Sequence, residues 1–81
     1  MTSWHKAPAI ATTPIETVAQ IAREHGLTAA DLIGPSKVRS VCIVRWRAMK
    51  ALRDKGRSLS SIGRILNRDH TTVLHGLRRA G

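Results

Sequence analysis

A chain of 81 residues is sized for a single domain, and one this small buries only about 60% of its unfolded surface, which leaves no room for a large catalytic cleft. Fourteen Lys and Arg stand against five Asp and Glu, a net charge of +9 that points to a polyanionic partner. Hydrophobic residues make up 42% of the chain without a single Phe or Tyr, so the core must be aliphatic, completed by Met49 and a Trp. Cys42 is the only cysteine and cannot form an internal disulfide; it reads as a reduced, core-facing residue of a cytosolic protein. No apolar run approaches the roughly 18 residues of a membrane span, and the opening stretch MTSWHKAPAIATTP lacks the apolar segment of a signal peptide.

Residues 1–12, interrupted by Pro8, read as a flexible arm whose only residues with binding potential are Trp4, His5 and Lys6. Thr13-Pro14-Ile15-Glu16 is a capping box with Pro at the first helical position. The helix it starts is expected to reach about His25, with Ile15, Val18, Ala19 and Ala22 inward and Gly26 just past its end. Thr28 to Asp31 repeats the signal for a short helix, which stops at Gly34-Pro35. Ser36 is then expected to cap the longest helix, Lys37 to about Lys55, closed by Gly56. Val38, Val41, Cys42, Ala48, Met49 and Leu52 form its inward stripe, while Arg39, Arg47, Lys50 and Arg53 build a cationic surface. Arg45 breaks the stripe, so its head must reach a carboxylate, a helix end or solvent. Trp46 either packs on the core edge or offers a stacking face. Ile43 and Val44, partly off the stripe, either touch the first helix or mark a partner surface.

The stretch Ser58 to Arg79 organises the rest. Ser58 is a good N-cap, and Leu59, Ile62, Gly63 and Leu66 recur at helical spacing. Asn67 and Arg68 make the turn, Asn tolerating the left-handed conformation a tight turn needs. Asp69 caps a second helix, His70 to about Arg79, with Val73, Leu74 and Leu77 inward. His70, Thr71, Thr72, His75, Arg78 and Arg79 lie on the other face. This is a helix-turn-helix, and with no alternating strand pattern the fold class is all-α, a small helical bundle spanning residues 13–81.

A major groove about 12 Å wide admits one helix carrying short polar side chains at its N-terminal end. Asp69, His70, Thr71 and Thr72 occupy that end. A threonine methyl suits a thymine methyl, a carboxylate accepts from a cytosine amino group, and an imidazole donates to an acceptor on a base edge. Catalysis fits poorly. His70 and His75 lie five apart, about 140° around a helix, and cannot hold one metal from the same face. Asp69, His70 and Ser60 form no credible triad, because no oxyanion site is indicated.

The run Arg68-Asp69-His70-Thr71-Thr72-Val73-Leu74-His75 resembles the signature of the C-terminal DNA-binding domain (domain IV) of the bacterial replication initiator DnaA, and Ser58-Leu59-x-x-Ile62-Gly63 before it is similar too. The resemblance extends from about Ile15 to Arg79. It implies a Trp-repressor-like or DnaA domain IV-like fold. In that family the positions of Asp69, His70, Thr71 and Thr72 are associated with base and phosphate contacts, and that of His75 with the backbone. Lys37, with Arg39 beside it, aligns with a minor-groove Arg, and Arg45 and Arg53 with phosphate contacts; Arg68 joins the backbone-contacting set. Two departures stand out. Cys42-Ile43-Val44 replaces a segment that usually holds an Arg and a Pro, and the turn is one residue shorter than the family's Gly-Gly-Arg turn. The implied function is sequence-specific binding of double-stranded DNA by a stand-alone regulator of replication initiation or transcription, located on the cytoplasmic nucleoid. The alternative is an adaptor that kept the fold and binds a replication or phage protein, through Trp46 and Ile43. No G-x-x-x-x-G-K-[ST] loop occurs, so no nucleotide is expected, and neither is a cofactor, metal or membrane partner.

Overall fold

A computed structural model describes residues 13–80; the arm assigned to residues 1–12 and Gly81 lie outside them. Five helices follow in order: α1 (Pro14–Glu24), α2 (Ala29–Ile33), α3 (Arg39–Asp54), α4 (Leu59–Ile65) and α5 (His70–Ala80). No strand occurs among the described residues, and the fold is all-α as the patterning requires.

The helix starts follow the capping chemistry. The Glu16 N–H donates to Thr13 Oγ1 at 3.2 Å while the Thr13 N–H donates to Glu16 Oε1 at 2.8 Å. The donations from the Thr13 N–H, and then from its hydroxyl, to the Glu16 carboxylate hold that carboxyl below its usual range. Thr28 and Asp31 make the same reciprocal pair at 3.2 and 2.8 Å, and Ser58 Oγ accepts from the Ser61 N–H at 3.1 Å. Both α1 and α3 give way to a glycine at positive φ, Gly26 at 74° and Gly56 at 88°, a conformation that costs glycine no Cβ clash.

The start of α3 departs from expectation. Ser36 does not cap a helix beginning at Lys37; its Oγ accepts from the Val38 N–H at 3.3 Å, closing a turn two residues long. The helix begins at Arg39, and Val38 occupies the N-cap with no side-chain bond. Val38 is therefore not part of the inward stripe; it is 61% exposed. The true stripe is Val41, Val44, Arg45, Ala48, Met49 and Leu52, spaced i, i+3, i+4, i+7, i+8, i+11 as one helical face demands. Val44 thus belongs to the core, and Arg45 lies within the stripe rather than interrupting it from outside.

Helix α3 is the axis of the molecule, packed against each of the other four helices. Its stripe meets Val18 and Ala22 of α1, Leu32 of α2, Ile62 of α4 with Leu66 at its C-cap, and Val73 of α5, all fully buried. Each large aliphatic side chain removed from water this way contributes about 1.5–3 kcal/mol. Two expected inward residues stay outside. Ile15 is exposed in the first turn of α1, where Thr17 is buried instead. Leu74 is exposed because the buried face of α5 runs through Val73 and Gly76, and Leu74 is one residue, about 100°, around the helix from Val73.

The helix-turn-helix closes tightly. Asn67 has φ 55°, the Arg68 N–H donates to Gly63 O at 2.7 Å, and a Cβ on Gly63 would collide with the Arg68 carbonyl oxygen. Gly63→Ala should therefore destabilise the fold by about 1–3 kcal/mol, the usual cost of overpacking. At roughly 4–8 °C per kcal/mol for a domain this size, a circular-dichroism melt will register the loss. An unshifted midpoint would show that the turn yields without strain.

Candidate nucleic-acid interface

At the N-terminal end of α5, Asp69, His70, Thr71 and Thr72 are all exposed. Asp69 organises them. Its Oδ2 accepts from the Thr71 backbone N–H at 3.2 Å, its Oδ1 lies 3.5 Å from His70 Nδ1, and its carbonyl accepts from the Val73 N–H. The Thr71 bonds, foremost the one from its backbone, hold the Asp69 carboxyl below its usual range. A negative charge here also suits the positive end of the helix dipole. The cap ties down a carboxylate that stays open to solvent, so both roles foreseen for it are sterically available.

Down the same face, Thr71, His75, Arg78 and Arg79 recur at i, i+4, i+7 and i+8. His75, Arg78 and Arg79 line a shallow surface pocket. The Arg79 guanidinium lies 5.5 Å over the Trp46 indole, a cation–π distance. Trp46 comes this close because residue 76 is glycine: a Cβ there would stand 2.8 Å from Trp46 Cδ1. Of the two readings of Trp46, the core edge holds: it packs against the buried cluster, with Arg79 laid across its outer side. Arg78 and Arg79, which the motif did not single out, line that pocket beside His75. The signal for them was present in their spacing from His75.

A second cationic area surrounds the ends of α3. Lys37 and Arg39 are exposed at its start, where the first turn contains no acid and no side-chain cap. Cations at this positive helix end are locally unfavourable, and the free N–H groups are an anion-receptive feature. Arg53 is exposed near the other end, its Nη1 donating to Arg57 O at 2.8 Å. Among the described residues, the only Lys or Arg paired with a carboxylate is Lys50, 2.9 Å from Asp54. The remaining cations are left without acidic partners.

Two residues expected to grip a backbone are used internally. Arg45 is 5% exposed. Its Nε donates to Leu32 O at 2.7 Å, and its Nη2 to Ser36 O at 2.9 Å and Gly34 O at 3.4 Å. Its Nη1 reaches Cys42 Sγ at 3.6 Å. Arg68, half-buried, donates through Nη1 to Leu66 O at 2.7 Å and Ile33 O at 2.9 Å, and through Nη2 to Gly34 O at 2.5 Å. Desolvation, with the nearby Arg45 charge, pushes Arg68 down from the usual guanidinium value. Where the resemblance implied phosphate contact for Arg45 and Arg68, the structure turns their donors toward carbonyls at the ends of α2 and α4 and in the loop after α2. Of the foreseen set, Asp69, His70, Thr71 and Thr72 are exposed together at the start of α5 and His75 one turn on from Thr71, and Lys37, Arg39 and Arg53 stay free of acids on or beside α3 among the described residues.

The family model described as bacterial dnaA protein helix-turn-helix matches residues 15–80. Among curated proteins, the chromosomal replication initiator protein DnaA of Bifidobacterium animalis subsp. lactis is 42% identical over 67 residues, covering 80% of this chain and 12% of that protein. The protein of the same name from Ruegeria sp. (strain TM1040) is 42% identical over 69 residues, covering 78% and 15%. That of Thermomicrobium roseum is 40% identical over 67 residues, covering 80% and 14%. The chain thus spans only a small part, 12–15%, of these relatives. No solved structure matches it significantly.

The lowered carboxyl of Asp69 sets a pH dependence. The folded state holds that proton less tightly than the unfolded chain, so the stabilisation is complete above the unfolded aspartate value and is lost as pH falls through the folded one. Asp69→Asn should lower the neutral plateau of a stability–pH curve and converge with the wild type at acid pH, so that the acid limb flattens. Superimposable acid limbs would show that the Thr71 bond contributes nothing.

Proposed function

Because the chain belongs to the bacterial DnaA helix-turn-helix family, we propose that it binds double-stranded DNA in a sequence-specific way, at a site related to the initiator's box. The observation that carries this is the exposed row Asp69, His70, Thr71 and Thr72 at the start of α5, bordered by cations that lack acidic partners. In this reading α5 enters the major groove with its N-terminal end toward the base edges. The Thr71 and Thr72 methyls pack on thymine methyls, and the free Asp69 oxygen accepts from a cytosine amino group. Eight residues separate Thr71 from Arg79, about 12 Å along the helix, which is about the width of the groove. His75, Arg78 and Arg79 then reach a phosphate rail while the threonines face the floor.

Lys37 and Arg39 address the neighbouring minor groove or its phosphates, where a bound anion relieves the unfavourable pairing of cations with the positive end of α3. Arg53 supplies a further backbone contact. Residues 13–81 act as the DNA-binding unit, and the biological role is regulation of replication initiation or of transcription by occupancy of such sites on the nucleoid. The adaptor alternative, through Trp46 and Ile43, has less in its favour: Trp46 is met by Gly76 on one side and by Arg79 on the other, and Ile43 is only half-exposed.

Fluorescence anisotropy on a box-containing duplex and a scrambled one tests the proposal. The log–log salt slope should steepen by about 0.9 for each phosphate neutralised. Thr71→Ala should lower discrimination between the two duplexes by about 1–3 kcal/mol, whereas Arg53→Ala should weaken both alike and reduce the slope by about 1. Equal affinity of the wild-type protein for both duplexes, or indifference to salt, would refute it.

A further inference from the structure

We infer that Arg45 and Arg68 are positioning residues that lock the loop carrying Lys37 to the turn that launches the recognition helix, so that two separated parts of the DNA-facing surface move as one. The inference rests on the duplex-binding reading above for its consequence, but its structural half stands alone. Three observations carry it.

First, the two guanidiniums converge on one short segment. Arg45, from the middle of α3, reaches the carbonyls of Leu32, Gly34 and Ser36. Arg68, from the helix-turn-helix turn, reaches those of Ile33 and Gly34. Gly34 O accepts from both. These are the last carbonyls of α2 and the loop after it, which have no partner within a five-residue helix.

Second, Arg68 faces both ways. The same Nη1 that holds Ile33 O also donates to Leu66 O at the end of α4. Its backbone is the residue immediately before Asp69, the cap of α5. One side chain therefore bonds the loop that precedes Lys37 and the turn that orients Thr71 and Thr72. Sequence separations of 34 and 35 residues are bridged this way.

Third, the loop has little else to fix it. From Pro35 to Val38 it has no helical structure, and its own internal bond is the long one between Ser36 Oγ and the Val38 N–H at 3.3 Å. The arginines supply the stiffness, and a planar fork with several donors in fixed directions is what several converging carbonyls require.

A charge on Arg68 that gripped phosphate would survive replacement by lysine; a fork that bridges several carbonyls would not. Arg68→Lys is therefore the diagnostic variant. With positioning, it should lower the affinity ratio between box and scrambled duplexes by roughly 3- to 30-fold, the usual span of coupling through packed contacts, while the salt slope and the scrambled affinity stay put. In a double-mutant cycle, Lys37→Ala should cost less in the Arg68→Lys background than in the wild type. A reduced slope with equal weakening of both duplexes, or full additivity with Lys37→Ala, would overturn the inference.

Two further measurements stand apart from those. In the wild-type protein, NMR resonances of the Arg45 Nε–H and Arg68 guanidinium should be protected from exchange in the free state and stay in place as duplex is added; a large shift on titration would make them phosphate contacts and sink the proposal even if the variant failed to fold. In free Arg68→Lys, amide exchange of Gly34 and of Ser36, Lys37 and Val38 should quicken while that of the core residues Met49 and Leu52 does not. Unaltered loop exchange would also overturn it. A wild-type protein that binds no duplex would refute the functional reading, and this loop measurement would still decide the clamp.

Discussion

Two buried or half-buried guanidiniums set against backbone carbonyls are the constraint from which the rest of this small fold is arranged. Helices α2 and α4 are five and seven residues long, too short to be stable by propensity, and each ends in carbonyls that no helical N–H can reach. Arg45 and Arg68 supply those donors. Hydrogen bonds to a charged donor contribute roughly 1.5–3 kcal/mol each, but here the gain opposes the desolvation of two like charges placed close enough that one depresses the other. The pairing with dipoles rather than with an acid has a consequence for charge. It leaves the positive charges of both residues uncancelled, and so adds to the field around the surface instead of neutralising it.

The helical framework was legible in the sequence because it is written in local chemistry. The two capping boxes at Thr13 and Thr28, the Ser58 cap, the glycines after α1 and α3 and the left-handed Asn67 each act within four residues, so the chain alone specifies them. The exposed polar row Asp69 to Thr72 was equally legible, since these residues follow a turn and precede an apolar stripe. What failed depended on partners distant along the chain. Arg45 sits at a core position, and periodicity reports only which way a side chain leaves the helix, not what it meets. Its carbonyl partners lie 9–13 residues earlier, and those of Arg68 up to 35 earlier. A resemblance to a DNA-binding family then steered both toward phosphate, because an arginine in a basic domain is read by its charge before its geometry.

Smaller misreadings have the same origin. Ser36 offered a capping hydroxyl, but a hydroxyl two residues before an N–H closes a turn as readily as three before it caps a helix, and the Arg45 bond to Ser36 O favours the turn. Moving the helix start to Arg39 left Val38 outside the core and Lys37 on the loop. Leu74 looked like a core residue beside Val73, yet Gly76 takes the inner place. Only the absence of a side chain there lets Met49 and Trp46 of α3 approach α5, and a glycine inside a helix announces such an approach only once its neighbour is known.

The arginines of this chain therefore divide by what their donors face. Arg45 and Arg68 are turned inward to carbonyls, and their loss would be felt in shape. Arg39, Arg78 and, beyond its one bond to Arg57 O, Arg53 keep donors turned to solvent, and Arg79 lies over Trp46, unengaged by any acid among the described residues. A fold that neutralised these cations would be more stable by itself, since like charges at a helix N-terminus and along one face of α5 repel. Leaving them unpaired lowers the stability of the free domain and makes the complementary surface an anion of regular spacing. The same residue type thus appears in two settings: inward arginines bonded to carbonyls of the turn and loop, and outward ones that set the charge pattern of the surface.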